Sequence, residues 1–234
     1  MTNKVFQSFY LAIIGHNLHI DYFNSEEENF HHQKKYLMPD TLDDNLNLTI
    51  LTKFILEKVK DFEKDIGSFI EKVNVVTDAK NDQFSLSLKN KYNSSKIKDT
   101  DVVRLISDAK KLINRNNKDC FILHILVDKY IVDGKEYFEL PENLNYKEFI
   151  IDLSFITVQN SIIETLNRVL KDCNIEVKKI ISHQYSNRFA DKRDTSPCIA
   201  GKKVIEGINS SEVITRNVYS KKQGLFEKMF NFFS

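Results

Sequence analysis

Hydrophobic and polar positions change their spacing several times along this chain, and each spacing predicts a different element. Residues 121–127 are almost all apolar and predict a buried strand, while residues 147–158 alternate apolar with polar positions, as a second strand does. Residues 161–173 repeat their apolar side chains on one helical face, and residues 175–181 return to a strand pattern. The rest of the chain is organised around residues 120–181, which contain no pattern typical of a catalytic centre.

The residues before this unit give a similar mixture of strand and helix patterns. Residues 5–14 and 18–23 predict a hairpin that turns at Gly15. Residues 46–66 carry apolar side chains at helical spacing, and Gly67 suits the end of that helix. The predicted fold class is therefore α+β. Further elements are predicted as a short strand at residues 36–38, strands at 69–76 and 84–88, and a helix from Asp99 or Thr100 to Ile113.

Composition sets limits on the function without naming one. Lys and Arg total 34 against 33 for Asp and Glu, so the net charge of +1 gives no overall attraction to nucleic acid or to an anionic membrane, and either would need a local patch. Hydrophobic residues make up 41% of the 234 residues, which is enough for a core in one large domain or two small ones. The three cysteines (Cys120, Cys173 and Cys198) lie far apart and no signal-peptide pattern is present, which predicts reduced thiols in the cytoplasm.

Few residues form a motif that suggests chemistry. The GKK sequence at residues 201–203 resembles part of a phosphate-binding loop, but Ser196 stands where that loop needs glycine and Lys203 where it needs Ser or Thr. The histidine pair at residues 31–32 lacks the spacing of a structural metal site, so a solvated loop is the simpler interpretation. His124 lies in an apolar run and is interpreted as a core histidine. The sequence therefore predicts no catalytic residue, no metal ligand and no cofactor.

The end of the chain differs from everything before it. Residues 184–220 are polar, alternate in charge and show no clear period, which predicts a linker. In residues 224–233 the apolar and aromatic side chains share one helical face, which suits an amphipathic helix in a membrane interface. A terminal helix that docks on the protein's own core is the alternative. The side chains expected to contact lipid are Lys221, Lys222, Leu225, Phe226, Lys228, Met229, Phe230 and Phe233.

Residues 84–181 resemble the insert subdomain of FtsA, the actin-like bacterial cell-division protein. The match is strongest for ILHILVDKYIVDGKEYF at residues 122–138 and for residues 148–181. A hydrophobic strand leads into an acidic-Tyr-apolar-Asp segment, followed by a second strand, an apolar helix and a closing strand. Residues 224–233 resemble the membrane-targeting helix at the end of FtsA. The matching positions in the insert are Asp128, Tyr130, Ile131, Asp133, Val169, Cys173, Ile175, Val177 and Ile180.

The resemblance implies a division of the chain into four parts. Residues 1–82 would form a degenerate actin-like first subdomain, and residues 83–183 an insert with the order strand, helix, strand, strand, helix, strand. Residues 184–220 would be the linker and residues 221–234 the membrane-targeting helix. The opening hairpin and the strand at residues 69–76 would then lie in one sheet.

The same resemblance implies a function. The chain would be a non-enzymatic, peripheral membrane adaptor in cell division, on the inner face of the cytoplasmic membrane. Its partners would be anionic lipid and other division proteins, either FtsZ or proteins that join the division complex later, together with further copies of itself, and would not include nucleic acid.

One departure from the family weighs against ATP. An actin-like ATPase opens with a strand that ends in an Asp-x-Gly-Thr/Ser turn, whereas this chain has Ile14-Gly15-His16-Asn17. Two other functions remain as alternatives to the membrane adaptor. One is a soluble interaction module whose C-terminal helix docks on itself or on a partner. The other is an enzyme that uses nucleotide in a degenerate actin-like cleft.

Overall fold

The computed structural model describes residues 7–24, 30–39, 48–141 and 144–213. The helices are α1 (Leu48–Ile66), α2 (Asp99–Asn116), α3 (Asn160–Asp172), α4 (His183–Ser186) and α5 (Pro197–Ile205), with a 3-10 helix at Asn187–Phe189. The strands are β1 (Gln7–Ile14), β2 (Asn17–Asn24), β3 (Phe30–Leu37), β4 (Lys72–Thr77), β5 (Asp82–Lys96), β6 (Cys120–Val132), β7 (Lys135–Tyr137), β8 (Asn145–Gln159) and β9 (Glu176–Ser182). The predicted α+β class is confirmed.

Five strands form the first sheet, in the order β3-β2-β1-β4-β9. The first three strands pair antiparallel, and the hairpin between β1 and β2 turns at Gly15, whose φ of 53° is a conformation that glycine adopts without strain. Strands β4 and β9 then run parallel to β1. The hairpin and β4 therefore share one sheet, as the resemblance to an actin-like first subdomain implies.

Helices α1 and α3 cover one face of the first sheet. The predicted apolar stripe of α1 is buried, and so is the corresponding stripe of α3. Burying a Leu, Ile or Phe side chain contributes about 1.5–3 kcal/mol, so these stripes hold both helices on the sheet. The residues of the two stripes are Leu51, Ile55, Val59 and Phe62 in α1, and Ile163, Leu166, Val169 and Leu170 in α3.

Four strands form the second sheet, in the order β5-β8-β6-β7, and all neighbouring pairs are antiparallel. Helix α2 packs on one face of it through Val102, Leu105, Ala109 and Ile113. Strand β5 continues to Lys96, so it is longer than the strand predicted at residues 84–88. Strand β3 is likewise longer than the short strand predicted at residues 36–38.

The second sheet ends earlier in the chain than the predicted insert boundary at residue 183. Strand β8 ends at Gln159, and α3 and β9 return to the first sheet, where β9 pairs with β4. The long strands β6 and β8 also reach the first core, because Leu123 and Val158 pack there. Hydrophobic periodicity identifies β9 as a strand but carries no information about which strand it pairs with. Because β9 pairs with β4 of the first sheet, the second sheet ends at β8 and not at residue 183.

In place of the linker predicted from residue 184, the described residues up to 213 are folded onto the body. Helices α4 and α5 pack on the other face of the first sheet, where Tyr185, Cys198 and Val204 are buried. Gly201 permits close packing of α5 on β4, since a Cβ at this position would lie 2.5 Å from Val76 Cγ2. Helix α5 is short and uses small residues for its contacts, so its sequence shows little hydrophobic period.

Candidate functional site

The residues predicted to contact lipid lie outside the described residues. They are Lys221, Lys222, Leu225, Phe226, Lys228, Met229, Phe230 and Phe233. The last described residues are nevertheless informative, because their contacts show where the chain is attached to the body before this predicted tail. We call residues 209–213 the root segment.

The root segment pairs with an edge of β6. The Val127 backbone N–H donates to the Ser211 carbonyl at 2.8 Å, and the Val213 N–H donates to the Ile125 carbonyl at 2.9 Å. Leu126 and Glu212 face each other in an antiparallel bridge between these two hydrogen bonds. The main chain of the root segment is therefore attached to the second sheet.

The side chain of Glu212 connects the root segment to both sheets. It is 9% exposed, and its Oε1 lies 2.8 Å from His124 Nδ1 on β6. The Tyr185 hydroxyl donates to Oε2 at 3.0 Å and accepts from Asn209 Nδ2 at 2.9 Å. Lys179 Nζ on β9 lies 3.6 Å from Oε1 and supplies the opposite charge. A carboxylate with these partners keeps its charge in a buried position because each oxygen has a donor.

The hydrogen bonds of His124 define its protonation. The Ser182 backbone N–H donates to Nε2 at 3.1 Å, so Nε2 must be the unprotonated nitrogen and Nδ1 carries the hydrogen that faces Glu212. Burial lowers the pKa of His124 and outweighs the opposing effect of Glu212. His124 is thus a buried histidine with both ring nitrogens bonded, in agreement with its interpretation as a core residue.

A second buried carboxylate attaches the start of α5 to the first sheet. Asp21 on β2 is fully buried; its Oδ1 accepts from the Ser196 hydroxyl at 2.9 Å, and its Oδ2 lies 2.6 Å from His31 Nε2. Ser and His both bond to the aspartate and not to each other, so the arrangement lacks the Ser–His contact that a catalytic triad needs. Burial raises the pKa of the nearby Cys198 thiol, which opposes its use as a nucleophile.

The turn after β1 is the place where the resemblance to an actin-like ATPase would put a phosphate-binding turn. Here the Gly15 backbone N–H donates to the Asp78 carboxylate at 2.6 Å. A phosphate at this turn would have to displace that carboxylate and would meet its negative charge. The turn therefore binds an anionic group of the chain itself.

Two buried polar atoms in residues that follow β4 and β9 have no hydrogen-bond partner among the described residues. They are Asn81 Oδ1 and His183 Nδ1, although Asn81 Nδ2 donates to the Ser182 hydroxyl at 2.7 Å. Burial lowers the pKa of His183, and Asp78 opposes that shift. Within the described ranges, no group of three or more His, Cys, Asp or Glu residues is placed to hold a metal ion.

A cavity of about 290 Å³ lies between the last turns of α2, the start of β6 and the start of α3. It is lined by Lys110, Asn114, Lys118, Cys120, Phe121, Ile122 and Asn160. Phe121 is 45% exposed, so the cavity combines an accessible aromatic ring with lysine side chains. Phe138 is a second exposed phenylalanine of the body, at 78%, and it does not line this cavity.

Neither buried network was predicted from the sequence. Glu212 and Asp21 are single acidic residues without a motif, and their partners lie 88 and 175 residues away in the case of His124 and Ser196. The one available signal was His124 itself, a polar residue inside an apolar strand pattern that must find partners when it is buried.

In the portion of the chain that the structure describes, none of the helices has the length and apolar character needed to cross a membrane. Neither a protein-family model nor a curated protein sequence matches the chain.

Solved structures give two likenesses. The first is to the PilM-PilN type IV pilus biogenesis complex, with 7% identity and a TM-score of 0.48 over 79% of this chain and 49% of the other. The second is to the cytoplasmic domain of EpsL, an inner membrane component of the type II secretion system of Vibrio cholerae, with 11% identity and a TM-score of 0.39 over 77% of this chain and 59% of the other. The chain thus spans about half of the longer matched protein. With TM-scores below 0.5, neither likeness assigns the chain to a fold family.

Proposed function

We propose that the chain is a non-enzymatic membrane adaptor, in which a folded α+β body presents a C-terminal lipid-binding segment at the inner face of the cytoplasmic membrane. The observation that carries the proposal is the attachment of the root segment through Glu212 and Val213 to β6. The residues predicted to contact lipid begin at Lys221, eight residues after Val213. The tail therefore has a defined origin on the body, as an anchor for a folded module requires.

The contacts at Gly15 support a role without nucleotide. The turn lacks the aspartate and the hydroxyl of an actin-like ATPase, and its N–H is bonded to Asp78. A site for nucleotide phosphates needs free backbone donors or cations at this point. The Asp78 carboxylate instead brings negative charge to it.

The protein partners that we propose are other cell-division proteins, either FtsZ or proteins that join the division complex later, and further copies of the chain. The support for this choice is the resemblance of residues 84–181 to the FtsA insert. Partner binding would add to lipid binding in an important way, because a single tail binds weakly. Each lysine near anionic lipid contributes about 1 kcal/mol, and an interfacial helix buries only part of its apolar face, so assembly of several copies would strengthen attachment.

Co-sedimentation with anionic vesicles tests the lipid-binding role. The intact protein is expected to pellet with the vesicles, and the Phe226→Asp and Phe230→Asp variants are expected to remain in the supernatant. Phe138→Asp is a matched control, because it adds the same charge at an exposed phenylalanine of the body. Equal pelleting of all four proteins would rule out the tail as the anchor.

A second candidate is an interaction module whose tail docks on its own body, and the direction of the root segment favours it. The root segment runs antiparallel to β6, so at Val213 it points toward the Cys120 end of that strand, where the cavity beside Phe121 lies. A tail aromatic placed in that cavity would be shielded from lipid. This candidate predicts no pelleting with vesicles and a lower unfolding temperature for Phe226→Asp.

A further inference from the structure

The Glu212 network joins elements that are far apart in the chain. His124 comes from β6 of the second sheet, Ser182 and Lys179 from β9 of the first sheet, and Tyr185 from α4. Glu212 itself belongs to the root segment. Removing the Glu212 carboxylate from this position would therefore remove the side-chain attachment to both sheets at once and leave the two backbone hydrogen bonds to β6.

Only one protonation state of His124 satisfies the network. The Ser182 backbone N–H points at Nε2, so a proton added to Nε2 would place two donors against each other at 3.1 Å. The Ser182 N–H would then lose its acceptor in a buried position, which is costly. In the released state the imidazole is free to protonate without this conflict.

The charged groups near His124 do not offset the cost of a proton on Nε2 that faces the Ser182 N–H. Glu212 favours a positive charge on His124, but Lys179 on β9 opposes it and is the cation that already balances Glu212. From α4, the Tyr185 ring packs against the His124 ring at 4.4 Å between centroids, and the Arg188 guanidinium lies 5.9 Å from the centroid of the same tyrosine ring. Burial raises the pKa of Glu212, yet its hydrogen bond from His124 and the charge of Lys179 outweigh burial and lower it overall.

We propose that His124 and Glu212 form an acid-sensitive latch, which holds the root segment on β6 at neutral pH and releases it when His124 is protonated. The proposal does not depend on lipid binding, because it concerns only the attachment of residues 209–213 to the body. The latch would control whether the segment that precedes the tail is attached to the body, whatever the tail binds.

The direction of the pH effect follows from the two states of His124. A free histidine titrates near 6.5, and burial places the pKa of the latched histidine lower. The latched state therefore binds fewer protons between these two values, so the latch is fully effective above about pH 6.5 and weakens as pH falls. Across this window, opening becomes more favourable by up to about tenfold for each pH unit.

Hydrogen exchange of the full chain measures the latch directly. The informative amides are those of Val127 and Val213, which bond across the ladder, and exchange is compared at pH 7.5 and 5.5 after correction for intrinsic rates. Protection of these two amides is expected to fall by up to about tenfold on acidification, while amides of the β1–β4 ladder keep theirs. An equal change in both groups of amides would contradict the latch.

Two variants separate the latch from general acid sensitivity. His124→Gln is expected to abolish the extra loss of protection at pH 5.5, because the side chain no longer titrates. His19→Gln is the control, since burial also lowers the pKa of His19, which lies on β2 and is not among the described partners of Glu212. Loss of the pH response in His19→Gln, or its retention in a folded His124→Gln, would overturn the proposal.

Nuclear magnetic resonance of the wild-type imidazole keeps the test decisive even if His124→Gln does not fold. The expected spectrum is that of a neutral ring with hydrogen on Nδ1 at pH 7 and with a titration midpoint below that of a free histidine. Observation of hydrogen on Nε2, or of an ordinary midpoint near 6.5, would remove the basis of the latch.

Discussion

Gly201 gives a sharp test of whether the segment from residue 184 packs on the first sheet. In the structure, a Cβ at this position would lie 2.5 Å from Val76 Cγ2 and 3.5 Å from Ile181 Cδ1. Carbon atoms prefer separations of about 3.5–4.0 Å, so Gly201→Ala would force α5 or β4 to move by about an ångström. We expect overpacking of this kind to cost about 1–3 kcal/mol.

The helix propensity of alanine acts in the opposite direction. Replacing glycine by alanine inside an exposed helix stabilises it by about 1 kcal/mol, so the net expectation for Gly201→Ala is a destabilisation of roughly 0–2 kcal/mol. A flexible linker would show no packing cost and would gain at most the propensity term. The sign of the change in unfolding free energy therefore distinguishes the packed segment from a linker.

Urea unfolding of four proteins completes the test as a double-mutant cycle. The proteins are wild type, Gly201→Ala, Val76→Ala and the double variant, because truncation of Val76 removes the atom that the new Cβ would strike. We expect the double variant to be more stable than the sum of the single effects by about 1 kcal/mol or more. Additive effects, or stabilisation by Gly201→Ala alone, would refute the packing of α5 on β4.

Two further predictions concern the buried side chain of Asp21 and the binding of MgATP. Asp21→Asn removes an acceptor from His31 and is expected to lower the free energy of unfolding, measured in urea, by about 1–3 kcal/mol. The exposed control Asp108→Asn should change this free energy by less than about 0.5 kcal/mol. Equal effects of the two substitutions would contradict the Asp21 network. MgATP is expected to leave the unfolding temperature unchanged. A ligand at a hundred times its dissociation constant adds about 2.7 kcal/mol and would raise that temperature by roughly 5–10 °C, so such a rise would support the enzyme alternative.

The elements that the sequence predicted well are those with a strong local pattern. The stripe of α1 and the hairpin around Gly15 need only near neighbours in the chain, so their residue spacing predicts them. The resemblance to FtsA added the non-local expectation that the hairpin and β4 share a sheet, and the strand pairing confirms it.

The features that the sequence did not predict depend on contacts between distant residues. Whether β9 closes the second sheet or returns to the first depends on pairing with β4, about a hundred residues earlier, and nothing local records that choice. Helix α5 packs through Ala200 and Gly201, whose lack of bulk is what allows the close approach and also what hides the helix from a hydrophobic pattern. Nothing in the sequence around Glu212 distinguishes it from a surface glutamate, because its partners His124 and Tyr185 lie 88 and 27 residues away in the chain.

The fluorescence of a single tryptophan in the tail tests the central claim most directly. The chain contains no tryptophan, so the emission of Phe230→Trp would come from the tail without interference. We predict emission typical of a water-exposed indole in solution, with a shift to shorter wavelength when vesicles of anionic lipid are added. Short-wavelength emission that is already present without vesicles and does not change on their addition would show a tail buried against protein, and would contradict the membrane adaptor.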